Sequence, residues 1–158
     1  MDSAQIHQAL SNLHFTKDLS SSTLQQLSRI ANAKSFAANT FLFREGSHEP
    51  DLFLVESGKI ALEINFPGRG PTRILTIGPG EFVGWSGLVG EGRMSTSAIA
   101  LENTDVITAP TAKIKELCES DREFGYQIMK RLAEALARRL AATRLQLLDL
   151  FADMPAGD

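Results

Sequence analysis

The spacing of apolar residues changes its period twice along this chain, and this restricts the fold more than any other feature. Up to about residue 32, apolar residues recur every three or four positions, which predicts amphipathic helices. From 33 to 110, short runs with a period of two alternate with glycine, proline and serine turns, which predicts strands. From 111 to about 152 the helical period returns. The pattern therefore predicts a central β-unit with helices at both ends.

Two short amphipathic helices are predicted before the strands. The first has Ile6, Leu10 and Leu13 on one face, with Asp2 and Ser3 available as caps. The second follows the serines at 20–22, which can cap it, and repeats apolar residues at helical spacing. Both helices are expected to pack on a larger unit.

Short predicted strands fill the middle of the chain. The strand over 59–66 is expected to place Ile60, Leu62, Ile64 and Phe66 on one face. Many short strands joined by glycine turns indicate a small antiparallel barrel or jelly roll. We therefore predict a mainly β fold with flanking helices: a double-stranded β-helix over 33–110, N-terminal helices over 1–32 and C-terminal helices over 111–152, in a single domain of 1–158. The strands are predicted over 40–43, 51–56, 59–66, 72–77, 95–101 and 105–109.

A long helix is predicted to end the chain, running to about Ala152. Ser120 and Glu123 have the spacing of a capping box at its start. Its basic side chains are interpreted as a solvated face, with Arg144 considered separately as a ligand contact. They are Lys130, Arg131, Arg138, Arg139 and Arg144.

Apolar residues of this helix recur in steps of three and four, with a single threonine among them. A second apolar row widens the surface near the end. This is more than one barrel can cover, so we predict a homodimer through the helix; the alternative is a helix packed wholly on its own domain. The first row is Met129, Leu132, Leu136, Leu140, Thr143, Leu147 and Leu150, and the second is Leu145, Leu148 and Phe151.

A glycine-rich segment, residues 78–101, lies between two predicted strands. Its sequence Gly84-Trp85-Ser86-Gly87 is too apolar for a surface linker. A glycine turn leading into one helical turn leaves backbone N–H groups free to bind a small anion. The same glycines could instead form a tight corner of a β-barrel with no ligand. Both interpretations stay open at this point.

Composition restricts the function classes. The net charge of −3 argues against a nucleic-acid-binding face, and the single Cys118 excludes an intrachain disulfide. No apolar run approaches the length of a membrane span, so we expect a soluble, cytoplasmic protein. His7, His14 and His48 fall in predicted helix or loop, and no nucleophile stands beside a base. We therefore expect neither a metal site nor an enzyme.

The order of these parts resembles the cyclic-nucleotide-binding domain of the catabolite-activator family of bacterial regulators. The resemblance runs from about Leu13 to Ala152, and three motifs carry it. They are Phe43-Arg44-Glu45-Gly46, then the run from Leu52 to Ile60, then Gly78-Pro79-Gly80-Glu81-Phe82-Val83-Gly84. The family's helix-turn-helix normally follows the long helix, where only 153–158 remain here. The resemblance thus implies no DNA binding by this chain alone. The chain is then expected to be either a lone sensor domain that signals through a protein partner or part of a longer protein.

The resemblance also implies where a ligand would bind. The family's ribose-binding glutamate falls on Trp85, and its phosphate-pairing arginine falls on Met94 or on Ser95, depending on the direction of counting. A bulge could turn Arg93 inward instead. The family's base-contacting threonine falls on Thr143, which could otherwise bond to its own helix. The candidate ligand-binding residues are Gly84, Trp85, Ser86, Gly87, Arg93, Ser95, Thr96, Thr143 and Arg144.

We therefore expect a regulatory domain that senses a small ligand and signals through a dimer helix. Its ligand would be a cyclic nucleotide, such as cyclic AMP or cyclic GMP, or a similar small anion, with no resident cofactor and no metal. The alternative is a degenerate module of the same fold that only dimerises or docks a protein partner. In that alternative, Trp85 fills the vacated pocket.

Overall fold

The computed structural model describes residues 1–152, so the polar tail at 153–158 lies outside the described residues. Thirteen elements follow one another in the predicted order of helices, strands and helices. They are α1 Ser3–Asn12, α2 Ser21–Ile30, β1 Asn32–Phe36, β2 Phe41–Phe43, β3 Asp51–Ser57, β4 Ile60–Phe66, β5 Gly70–Ile77, β6 Phe82–Val83, α3 Ser86–Val89, β7 Ser97–Ala100, β8 Thr104–Pro110, α4 Thr111–Ser120 and α5 Arg122–Ala152.

The strands form two four-stranded antiparallel sheets, in the orders β1-β8-β3-β6 and β2-β7-β4-β5. Side chains from both sheets meet between them, including Phe53 and Val106 from one sheet and Ile60 and Ala98 from the other. Two packed antiparallel sheets with crossover connections make a jelly roll. The predicted fold class is confirmed.

A second core lies on the outer face of the β1-β8-β3-β6 sheet. Leu52 and Leu54 of β3 point to it, together with Ile107 of β8, and they pack against the flanking helices. Phe53 and Val55 alternate with them and point into the barrel. Strand β3 is therefore apolar on both faces, which explains why its sequence is continuously hydrophobic.

The start of each N-terminal helix follows its sequence signal. The Asp2 side chain accepts from the Gln5 amide and the Gln5 side chain accepts from the Asp2 amide, a complete capping box. Ser20 caps α2 by accepting from the Thr23 amide. Both caps agree with the prediction.

The predicted cap of α5 is wrong by one residue. Helix α4 continues through Ser120, whose hydroxyl donates back to the Leu117 carbonyl. The carboxylate of Asp121 instead accepts from the amides of Glu123 and Phe124 at the start of α5. A carboxylate is at least as good a cap as a hydroxyl, and the helix dipole favours its charge.

The observed strands differ from the prediction in their ends, their number and the burial of one face. Strand β7 begins at Ser97, so the residues before it lie in a bend. Strands β1 and β6 were not predicted as separate elements. The expected apolar face of β4 ends at Leu62, where the pairing with β5 shifts register, and Phe66 at the hairpin tip is exposed.

Helix α5 has two halves with different surroundings. In the first half, Phe124, Ile128 and Leu132 are buried against the other helices. In the second half, every residue from Leu140 to Ala152 is exposed. The apolar surface that the sequence predicted is thus present and left open by the chain's own barrel. No helix among residues 1–152 is both long and apolar enough to cross a membrane.

Candidate functional site: the glycine-rich pocket

A tight turn brings the glycine-rich segment back onto the barrel. The Gly80 amide donates to the Val55 carbonyl at 2.9 Å, and the Glu81 carboxylate accepts from the Gly78 amide at 2.7 Å. Strand β6 then pairs with β3, which places Gly84 against the Asp51 carbonyl. The segment is therefore fixed to the barrel on both sides of its turn.

Gly84 has a backbone that only glycine adopts easily. Its φ is +85°, and a Cβ at this position would lie 2.7 Å from the Asp51 carbonyl oxygen. The chain then enters α3 without a side-chain cap, so the first amides of this short helix have no intrahelical acceptor. These are the backbone donors that the sequence predicted.

A small pocket lies between this segment and the barrel, and five of the nine predicted site residues line it. Its volume is about 20 Å³, which is room for about one water molecule. A nucleotide does not fit this volume without movement of the walls. The predicted residues that line it are Gly84, Trp85, Ser86, Ser95 and Thr96, and the others are Phe43, Leu62, Val83, Met94 and Arg139.

Met94 lines the pocket and fills part of the barrel core beside it. Its side chain is 3% exposed and belongs to the barrel core with Phe43 and Leu62. The Met94 main chain is fixed as well, because its amide donates to the Ser47 carbonyl and its carbonyl accepts from the Gly46 amide. Of the two positions considered for the family's arginine, Met94 therefore points inward, while Ser95 is exposed.

Trp85 is one of the residues that line the pocket, and its side chain does not fill the pocket by itself. The residue is half-buried and packs against the helical core on the other side of β6. The nearby Ser97 hydroxyl is already used, since it accepts from the Glu45 amide at 2.8 Å. The polar groups that remain for a ligand in the pocket are thus the Ser86 amide and the hydroxyls of Ser86, Ser95 and Thr96.

Four predicted site residues lie outside the small pocket. Gly87 contacts Thr111 of α4, and the Arg93 guanidinium turns away to donate to the Gly46 carbonyl at 3.1 Å. The Thr143 hydroxyl donates to the Arg139 carbonyl at 2.8 Å, four residues back on the same helix. Arg144 is exposed on the same turn of α5. Within one chain, none of the four reaches the pocket.

Arg139 lines the pocket, although the sequence predicted it on the solvated face of α5. Its guanidinium carbon lies 4.4 Å from the centre of the Phe82 ring, and its Nη2 group donates to the Phe82 carbonyl. Burial lowers the pKa of Arg139, and the charge of Glu81 acts in the opposite direction. The spacing of basic residues along α5 does not predict this packing, because the contact joins residues 57 positions apart in the sequence.

Arg131 was also predicted to be solvated, and this is wrong. Its side chain is 12% exposed and donates to the carbonyls of His14 and Phe15 in the loop after α1. It also pairs with Glu134 at 3.0 Å. Two arginines of α5 therefore fasten the helix to the rest of the domain.

The fold is that of a ligand-sensing regulatory domain. The sequence pattern of the cyclic nucleotide-binding domain matches residues 33–121, and the chain belongs to this family. A relative is the cyclic AMP receptor protein of Thermus thermophilus, 34% identical over 113 residues. The match covers 67% of this chain and 47% of that relative, so the chain spans about half of its length.

Solved structures agree with the family assignment. A cyclic nucleotide-binding domain from Methylobacillus flagellatus superposes with a TM-score of 0.80 at 18% identity, over 99% of this chain and 85% of that one. The catabolite activator protein of Thermus thermophilus superposes with a TM-score of 0.68 at 26% identity, over 91% of this chain and 63% of that one. The fold is thus shared along nearly the whole described chain.

Proposed function

We propose that this chain is a regulatory domain that acts as a homodimer through α5 and carries its signal in the arrangement of the paired helices. The observation that supports the proposal best is the exposed apolar surface of the second half of α5. Leu140, Leu147 and Leu150 are each about half to two-thirds exposed. Surface of this kind on one helix is typical of an interaction site.

The spacing of this surface favours a two-stranded pairing. Leu140, Thr143, Leu147 and Leu150, which we call the seam, follow one another in steps of three and four. Such steps keep one line of side chains facing a partner helix. The Thr143 hydroxyl is already bonded within its own helix, so it can enter the seam without an unsatisfied donor.

Sedimentation of two matched variants tests the pairing. We expect the full chain to be a dimer and Leu147→Glu to be a monomer, because the substitution places two like charges in the seam. Leu145→Glu is the control: the same change two residues earlier, on another side of the helix. A monomeric parent chain, or equal disruption by both variants, would contradict the proposal.

A cyclic nucleotide in the small pocket is a second candidate function. The positive φ of Gly84, the uncapped start of α3 and the hydroxyls of Ser95 and Thr96 favour it. The buried Met94 disfavours it, because an apolar side chain stands at one of the two positions considered for the family's arginine. In this candidate, the ligand enters only when Met94 and the neighbouring part of α5 move apart.

Calorimetric titration with cyclic AMP and cyclic GMP separates the two candidates. Saturable binding that is lost in Ser95→Ala, and kept in the distant Ser11→Ala, would support nucleotide sensing. An intact dimer without any heat of binding would instead support a module whose function is association.

A further inference from the structure

A second and larger cavity lies on another side of α5. Its volume is about 320 Å³, at the lower end of small-molecule sites in proteins. Three parts of the fold surround it: the loop after α1, the end of β5 with the following turn, and one face of α5. Its walls are formed by His14, Phe15, Leu75, Thr76, Ile77, Gly80, Glu81, Phe82, Ala135, Arg138, Arg139 and Ala142.

The floor of this cavity is apolar and aromatic. Phe15 and Phe82 are buried, with ring centres 4.8 Å apart and planes tilted by 58°. Ile77 and Ala135 complete the floor. A flat apolar group could lie against these side chains and be removed from water.

One edge of the cavity is cationic. Arg139 is half-buried, and none of the ion pairs found within residues 1–152 includes it. A guanidinium carries five N–H donors, and the bond to the Phe82 carbonyl uses one of them. A partly buried cation without an ion-pair partner is costly unless an anion accepts its remaining donors. Arg138, one residue earlier on the same rim, adds a second positive charge.

We propose that this cavity binds a small aromatic monocarboxylate. The carboxylate would accept from the Arg139 guanidinium, and the ring would lie in the cavity over its apolar lining, beside the Phe82 ring that the guanidinium covers. A planar guanidinium matches a carboxylate with two parallel hydrogen bonds. Glu81 on the same wall offsets one of the two arginine charges, so a single negative charge suits the site better than a phosphate dianion.

The proposed site stays accessible in the proposed dimer. Ala135, Arg138 and Ala142 line the cavity in steps of three and four, as the seam residues do along their own line. At about 100° per residue, the two lines lie roughly a third of a turn apart around α5. A partner helix on the seam therefore leaves the cavity open.

A ligand here would join the barrel to the dimer helix. It would contact the end of β5 on one side and Arg139 of α5 on the other, so it could favour one position of α5 over another. Only this consequence depends on the proposed regulatory function. Binding itself is measured on the chain whether or not the dimer forms.

The test is calorimetric titration of the whole chain with 1-naphthoate and with the neutral 1-naphthalenemethanol. We expect one saturable site for the carboxylate and binding roughly tenfold weaker or more for the alcohol, because the alcohol lacks the charged hydrogen bonds. Arg139→Gln should weaken naphthoate binding by a similar factor, and Arg122→Gln, at the exposed start of α5, should leave it unchanged.

Two phenylalanine substitutions test the site even if Arg139→Gln fails to fold, one that fills the cavity and one that does not. Ala142→Phe places a ring at the exposed rim, keeps both arginines and should abolish binding. Ala141→Phe makes the same change on the neighbouring residue, outside the cavity, and should bind as the parent chain does. The proposal is overturned if naphthoate shows no saturation up to about 5 mM, if the alcohol binds as tightly, or if Ala142→Phe binds normally.

Discussion

At the scale of single residues, Gly84 combines two constraints that can be separated. Its positive φ strains any other residue, and its close approach to Asp51 leaves no space for a side chain. We expect Gly84→Ala to lower the free energy of unfolding by about 3 kcal/mol, the sum of backbone strain and steric overlap. Urea unfolding followed by circular dichroism measures the change.

Gly68 is the matched control for this prediction. It has nearly the same φ, +82°, but a Cβ there would meet no atom within 4 Å. Gly68→Ala should therefore show the strain alone, about 1 kcal/mol. Equal losses in the two variants would mean that the contact with Asp51 contributes nothing.

Arg131 is predicted to stabilise the domain through the loop after α1. Its bonds to the His14 and Phe15 carbonyls hold this loop on α5, and the site is poorly solvated. Arg131→Gln should lower the free energy of unfolding by about 2 kcal/mol, as expected when a charged hydrogen-bond donor is lost. The neighbouring Lys130→Gln should change it by less than about 0.5 kcal/mol. Equal effects in urea unfolding would show that the loop contacts do not stabilise the fold.

The sequence predicted some of the residues that line the small pocket but not how they pack. Gly84 and Ser86 were predictable from the local turn chemistry, and Ser95 and Thr96 from the family resemblance. The burial of Met94 and the stacking of Arg139 on Phe82 were not, because both depend on contacts between distant segments. The burial of a long side chain such as arginine depends on the groups it packs against, because its apolar stem can be buried while its charged end is not. A hydropathy pattern therefore does not predict it.

At the scale of the elements, Asp121 determines where α5 begins. The pKa of its carboxyl is lowered by the hydrogen bond from Gln26, then by the bonds from the Phe124 and Glu123 amides. Because the folded pKa lies below the unfolded one, this contribution to stability is complete above the ordinary aspartate pKa. It is lost as the pH falls through the lowered pKa.

We therefore expect Asp121→Asn to reduce the pH dependence of stability. The parent chain should lose more stability than the variant between pH 6 and about pH 2.5. Urea unfolding midpoints across this range measure the difference. Asp2→Asn makes the same change at the carboxylate cap of α1 and is the control. Comparing the two variants shows whether the change in pH dependence is specific to the junction of α4 and α5. If Asp121→Asn kept the parent's full acid sensitivity, the pH dependence would not come from the Asp121 carboxyl.

Helices and long strands were predictable where the apolar period and the end signals agreed. Helix α1 had both a helical face and a capping aspartate, and strand β3 had a continuous apolar run. Strand β6 has only two residues, too few to show a period. The start of α5 was placed one residue early because Ser120 and Asp121 are both good caps, and only the packing of α4 decides between them.

At the scale of the whole molecule, two cores share one sheet. Strands β3 and β8 carry apolar side chains on both faces, so the barrel and the helical layer stabilise each other. Helix α5 belongs to this unit only as far as Arg139, which contacts Phe82. Beyond it, residues 140–152 are exposed throughout.

A chain that ends at Ala142 should separate folding from association. It keeps Leu132, Ala135 and Arg139 but loses most of the seam, so we expect a folded monomer whose unfolding free energy changes by no more than about 1 kcal/mol. Its melting temperature should be independent of concentration, whereas that of the full chain should rise with concentration because only the folded state dimerises. A chain that ends at Arg131 should instead lose several kcal/mol, roughly the cost of removing a buried leucine and the Arg139 contacts. Sedimentation and thermal unfolding at several concentrations measure both effects, and a dimeric chain ending at Ala142 would place the interface elsewhere in the domain.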